Sequence, residues 1–152
     1  MVFVIDASVT LPWFLIDERT AFTDSMFDAA MQGGYWVPPI WCLEFPNALL
    51  MAQRKRRIDR MTRLGALERV AMLPLRIDTS PVDMKSVSDF AERRGLSIYD
   101  ASYLELAVRL GSGLVTLDRA LAGAAASEGV EVLAPGRTGV AQTRRRYAAR
   151  KA

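Results

Sequence analysis

Short apolar runs, each closed by a charge, a proline or a glycine and followed by a helical pattern, recur along this chain. Val2–Ile5 is continuous and rich in β-branched residues, as a central parallel strand requires, and Asp6-Ala7-Ser8 ends it. Tyr35-Trp36-Val37 is closed by Pro38-Pro39, Leu75–Ile77 by Asp78-Thr79-Ser80-Pro81, and Gly113–Thr116 by Leu117-Asp118; Val130–Leu133 is the last such run. Between them the spacing predicts helices over Val9–Ile16, Asp17–Gln32, Leu43–Arg57, Ile58–Leu73, Val82–Arg94, Gly95–Leu110 and Arg119–Ser127. In Ile58–Leu73 the inward residues are expected to be Met61, Leu64, Leu67, Val70 and Ala71. In Gly95–Leu110 they are Ile98, Ala101, Leu104, Ala107 and Val108, with Leu106 and Leu110 widening the face. Strands alternating with helices predict an α/β domain: a mainly parallel sheet with helices on both faces.

Composition narrows the chemistry. A chain of 152 residues, 51% hydrophobic and 24% charged, is expected to form one globular domain. No apolar run approaches the ~18 residues of a membrane span, and the N-terminus lacks the basic start of a secretory signal. A lone Cys42 cannot form an internal disulfide and suits a reducing cytoplasm. There is no histidine, which excludes imidazole acid–base chemistry and most zinc sites. Catalysis must therefore rest on carboxylates, hydroxyls, basic groups or a hard metal ion.

The basic balance is local. From Ala134 onward there are six bases and no acid, leaving 14 bases against 17 acids over residues 1–133. The chain thus divides into a body, 1–133, and a basic C-terminal tail, 134–152, expected to be flexible. Within the body, Arg54-Lys55-Arg56-Arg57 forms a second basic block, either a solvated face or a nucleic-acid contact. Trp13, Phe14, Tyr35, Trp36 and Trp41 are assigned to the core or an interface rather than to base stacking.

Four carboxylates stand where apolar segments end or helices begin: Asp6, Glu44, Asp100 and Asp118. Asp6 and Asp118 directly follow strands, and in parallel sheets sites form beyond the carboxyl ends of strands. Each acid also has a purely structural reading. Asp6 and Asp118 can cap helices, Asp100 completes a capping box with Ser97, and Glu44 can complement a helix dipole. If the four converge, their repulsion calls for a cation. Oxygen ligands alone suit Mg²⁺ or Mn²⁺, and hydrolytic phosphoryl transfer is the natural chemistry. Thr116 and Ser8 can add supporting hydroxyls.

The segments Val4-Ile-Asp-Ala-Ser8, Glu44-x-x-Asn47, Gly95-Leu-Ser-Ile-Tyr-Asp-Ala101 and Thr116-Leu-Asp-Arg-Ala-Leu121 together resemble the signature of PIN-domain ribonucleases. More narrowly they resemble the VapC-type toxins of bacterial toxin–antitoxin pairs, over about residues 1–133. The resemblance implies a PIN-like α/β/α sandwich and an Mg²⁺-dependent endoribonuclease, with Mn²⁺ substituting. Asp6, Glu44, Asp100 and Asp118 would be the catalytic, metal-site acids, and Thr116 and Ser8 the supporting hydroxyls. It also implies an RNA substrate, a homodimer, a cognate VapB-type antitoxin and a cytoplasmic location. An RNase must hold a polyanion, which makes Arg54, Lys55, Arg56 and Arg57 candidate RNA contacts. The alternative is an inactive PIN fold that binds RNA or a partner. Phosphoacceptor and phosphatase folds fit poorly: Ser8 stands where a second Asp is wanted, and the only lysines are Lys55, Lys85 and Lys151.

Overall fold

A computed structural model describes residues 3–136 of the chain. Val2 and residues 137–152, which hold most of the basic tail, lie outside the described residues. Five strands form one sheet: β1 (Phe3–Ile5), β2 (Tyr35–Val37), β3 (Leu75–Ile77), β4 (Leu114–Val115) and β5 (Val132–Leu133). Their order is β3-β2-β1-β4-β5 and every pairing is parallel. The chain steps outward from β1 through β2 to β3, then returns to the other side of β1 for β4 and β5. The order therefore reverses between β1 and β4, and a crevice opens beyond their carboxyl ends.

Helices fill every crossover: α1 (Ala7–Thr10) and α2 (Ala21–Gly33), α3 (Trp41–Arg54) and α4 (Arg60–Val70), α5 (Met84–Arg94) and α6 (Ile98–Leu110), then α7 (Arg119–Ser127). α6 packs on β1 and β4 with α5 and α7 beside it, while α1 to α4 pack against one another. The result is the expected α/β/α sandwich around a parallel sheet. Val4, Ile5, Val37, Leu114 and Val115 are wholly buried, which explains why these strands read as continuous apolar runs.

β2, β3 and α7 occupy the predicted residues, and the other six helices differ in their bounds, several for local reasons. The expected Val9–Ile16 helix stops at Thr10; Pro12 then sits in a 3₁₀ turn, Leu11–Trp13, and a second turn spans Ile16–Glu18. α2 starts at Ala21, not Asp17, because Thr20 and Thr23 cap each other reciprocally. Asp59 and Asp83 accept from the amides of Thr62 and Ser86, fixing the starts of α4 and α5. In α4 the expected inward Met61 is 72% exposed, and small Ala66 is buried instead.

Glycine decides one close approach in the sheet. A Cβ on Gly113 would overlap the Phe3 ring of the neighbouring strand and crowd the Glu131 carbonyl. Gly113→Ala should cost about 1–3 kcal/mol by overpacking, read as a lower thermal midpoint.

Candidate active site

The β1–β4 register sets Asp6 beside Thr116. Each is the first residue beyond its strand, and together they floor the crevice. The Thr116 hydroxyl donates to Asp6 Oδ2 at 2.8 Å and the Ser8 hydroxyl donates to the same oxygen at 2.6 Å. Ser8 Oγ accepts the Leu117 amide, and Thr116 Oγ1 accepts the Asp118 amide, both at 3.0 Å. Two hydroxyls thus tie the first residues after β1 to the first residues after β4. Asp6 stands at the start of α1 but makes no side-chain cap bond, so the capping explanation fails for it. Burial pushes its carboxyl up, the two hydroxyls oppose that shift, and the charge of Asp100 adds to it.

Glu44 enters from the first turn of α3. Trp41 anchors that turn, its indole N–H donating to Thr10 Oγ1 at 3.1 Å and its ring stacking on Phe45. α3 begins at Trp41 rather than Leu43, so Pro46 is its sixth residue; lacking an N–H, it cannot bond the Cys42 carbonyl. The wholly buried Tyr103 of α6 donates its hydroxyl to Glu44 Oε1 at 2.9 Å. Burial pushes the Glu44 carboxyl up, the Tyr103 bond opposes this, and the charges of Asp6 and Asp100 push it further. Burial, then the charges of Asp6 and Glu44, raises the Tyr103 phenol, which stays a donor at any working pH.

Asp100 and Asp118 sit on helix starts. Ser97 caps α6 by accepting the Asp100 amide, and its hydroxyl donates to Asp100 Oδ2 at 2.9 Å. The predicted capping box is half present: the Asp100 carboxylate takes the Ser97 hydroxyl. Asp118 caps α7, accepting the Leu121 amide at 2.7 Å, so its structural reading holds. It is the most exposed of the four and joins the site through its backbone bond to Thr116.

The structure thus brings Asp6, Glu44 and Asp100 within electrostatic reach of one another and sets Asp118 at the edge. Among the described residues no three carboxylates are drawn onto one point that would hold a metal ion. Glu44, Asp100 and Asp118 are each turned to a partner of their own: Tyr103, Ser97 and Leu121. The donor chemistry nevertheless fits a hard divalent cation. All side-chain donors are oxygens, and the carboxyls of Asp6 and Glu44 are raised, chiefly by burial and further by the neighbouring acids.

The basic block lies elsewhere. Arg54 ends α3 and Lys55, Arg56 and Arg57 form the turn into α4, about 15 Å along the helix from Glu44. Arg57 is committed to Asp17 and Glu18, each at 2.8 Å. Arg54, Lys55 and Arg56 are exposed. The aromatics behave as assigned: Tyr35 and Trp41 are buried, and Trp13, Phe14 and Trp36 pack against the core. The sequence reading missed Tyr103. Its only signal was the three-residue spacing from Asp100, which puts both on one face of α6.

A family model for the PIN domain matches residues 3–126. The chain belongs to the PIN-domain family. Its members are generally nucleases that use divalent metals, which supports a nuclease role here. No curated protein matches this PIN domain. Among solved structures, PAE2754 from Pyrobaculum aerophilum is 25% identical, covers 87% of this chain and 89% of its own, and superimposes with a TM-score of 0.68. VapBC2 from Rickettsia felis, bound to a DNA fragment from their promoter, is 13% identical. It covers 88% of this chain and 98% of its own at a TM-score of 0.63, a likeness of fold. Among the described residues no helix is long and apolar enough to cross a membrane.

Proposed function

We propose that this PIN domain is an Mg²⁺-dependent endoribonuclease, with Mn²⁺ substituting, and that it acts as the toxin of a toxin–antitoxin pair. The observation that carries the nuclease reading is that Asp6 after β1, Glu44 of α3 and Asp100 of α6 lie within electrostatic reach of one another near the sheet's switch point, with no histidine in the chain. Asp6, Glu44, Asp100 and Asp118 would supply the oxygen ligands. When bound, the cation supplies an activated water and offsets the charge that builds on the scissile phosphate. The residues of the chain do the positioning. Ser8 and Thr116 fix the Asp6 carboxylate, Tyr103 fixes Glu44, and the Ser97 hydroxyl holds Asp100.

The toxin reading rests on the four motifs and on the likeness of fold to a toxin–antitoxin complex. It brings with it a VapB-type antitoxin as partner, a homodimer and a cytoplasmic location. Arg54, Lys55 and Arg56, exposed and without an ion pair among the described residues, unlike Arg57, are proposed to contact RNA away from the cleavage point.

Incubating the purified chain with total cellular RNA in Mg²⁺, Mn²⁺ or EDTA tests the activity. Discrete fragments in either metal and intact RNA in EDTA are expected. Intact RNA under all three conditions would overturn the nuclease reading and leave a binding-only PIN fold. Within this reading, Tyr103→Phe should slow cleavage by about tenfold, because Glu44 loses the donor that orients it. The same change should cost about 1 kcal/mol in thermal unfolding.

A further inference from the structure

A cavity of about 480 Å³ opens beside Asp118, at the edge of the carboxylate group. Thr116, Leu117 and Asp118 of the β4–α7 connection line it, with Arg119 and Ala122 of α7 and Pro135 beyond β5. Its volume falls in the ~300–1,000 Å³ range of small-molecule sites. Thr116 is shared: the residue that donates to Asp6 also walls this cavity.

Arg119 is the cavity's cation. It is exposed and makes no hydrogen bond, ion pair or ring contact with any described residue. Arg19, Arg57, Arg93, Arg94 and Arg109 are paired with carboxylates; Arg119 shares its unpaired state among the described residues with Arg54 and Arg56, but it lines this cavity and they do not. Arg119 is also the first residue of α7, where the helix dipole disfavours a positive charge. Helix stability does not account for it, and its charge suits an anionic ligand in the cavity.

We propose that this cavity is a nucleotide subsite, which takes the nucleotide flanking the cleaved linkage of a single-stranded RNA. The inference rests on the nuclease reading and adds to it where the chain of the substrate runs. A phosphodiester held at the carboxylates continues on both sides, and the cavity begins at the same Thr116 and Asp118. The Arg119 guanidinium binds the neighbouring phosphate through paired N–H donors, a geometry that lysine does not reproduce. Leu117, Ala122 and Pro135 offer the apolar wall that a ribose and an unpaired base need.

The test is fluorescence anisotropy with a labelled single-stranded oligoribonucleotide in EDTA, where nothing is cut. It compares the intact chain with Arg119→Ala, Arg119→Lys and, as a cation outside the cavity, Lys85→Ala. Arg119→Ala should bind about tenfold more weakly, with a salt slope smaller by about 1; Arg119→Lys should fall between, and Lys85→Ala should match the parent. Adenosine 5′-monophosphate should compete for the parent and not for Arg119→Ala. In Mg²⁺ the KM for cleavage should rise by the same factor with kcat little changed. Equal affinity, salt slope and KM for the parent and Arg119→Ala would overturn the subsite while leaving the nuclease standing. A parent chain that neither binds nor cuts RNA would overturn the nuclease reading, and the subsite with it.

Discussion

Asp6→Asn should abolish RNA cleavage and at the same time stabilise the metal-free protein. Asp6 is 6% exposed, and its carboxyl is pushed up by burial and by the charge of Asp100. Folding at neutral pH therefore opposes its ionisation. Between the ordinary carboxylate pKa, about 4, and the raised folded value, the folded chain holds a proton that the unfolded chain releases, so stability falls as pH rises through that window. Glu44 adds to the slope in the same direction. Asparagine keeps an oxygen for the Ser8 and Thr116 hydroxyls and removes the charge. In EDTA the variant should have a higher thermal midpoint at pH 7 and should lose much of the parent's decline in stability as pH rises above the ordinary carboxylate range. Cleavage in Mg²⁺ should fall by at least about a hundredfold, since the proposed metal ligand is gone. A functional site held against its own stability predicts this pairing of gain and loss. A variant that is both inactive and less stable would mean that Asp6 is structural.

The second large effect is structural. Arg109, near the end of α6, donates to Asp78 at 2.6 Å and to Glu105 at 2.8 Å, tying α6 to the residue that follows β3. Both acids are nearly buried, at 7% and 8% exposure. Burial alone would raise Asp78, but the bonds from Arg109 and Ser80 outweigh it and hold the carboxyl below its usual range. Arg109→Met leaves two buried carboxylates without a counter-ion. Because the Arg109 side chain is itself 37% exposed, the cost is set below that of a fully buried pair, at about 2–3 kcal/mol. Denaturant unfolding at pH 7 measures it. The loss should shrink as pH falls through the carboxylate range, since Asp78 stabilises only while ionised.

Much of the fold was legible because strand ends and helix caps carry chemical marks. Val37 before Pro38, Ile77 before Asp78 and the Asp118 cap of α7 were found at the right residues. What was not legible depends on distant packing. Met61 reads as a core residue, but α4 buries its small side chains, Ala66 among them, and alanine gives little periodic signal. Ile98 continues the apolar stripe of α6 yet is 51% exposed, because that stripe runs out of the core at the helix start. In the site, the sequence placed Asp6 and Thr116 at strand ends, but their hydrogen bond joins residues 110 positions apart and follows only from β4 returning beside β1. Tyr103 was hidden for a related reason. Its phenol meets Glu44 across 59 positions, so no local pattern announces the contact.

The most direct measurement is a calorimetric titration of Mn²⁺ into the metal-free protein and into Asp6→Asn, Glu44→Gln, Asp100→Asn and Asp118→Asn. If the four acids share one cation, the parent should show saturable binding that each substitution weakens or removes, while every variant keeps a cooperative unfolding transition. Binding that survives all four substitutions, or a parent that binds no Mn²⁺, would contradict a carboxylate metal centre at the β1–β4 switch point.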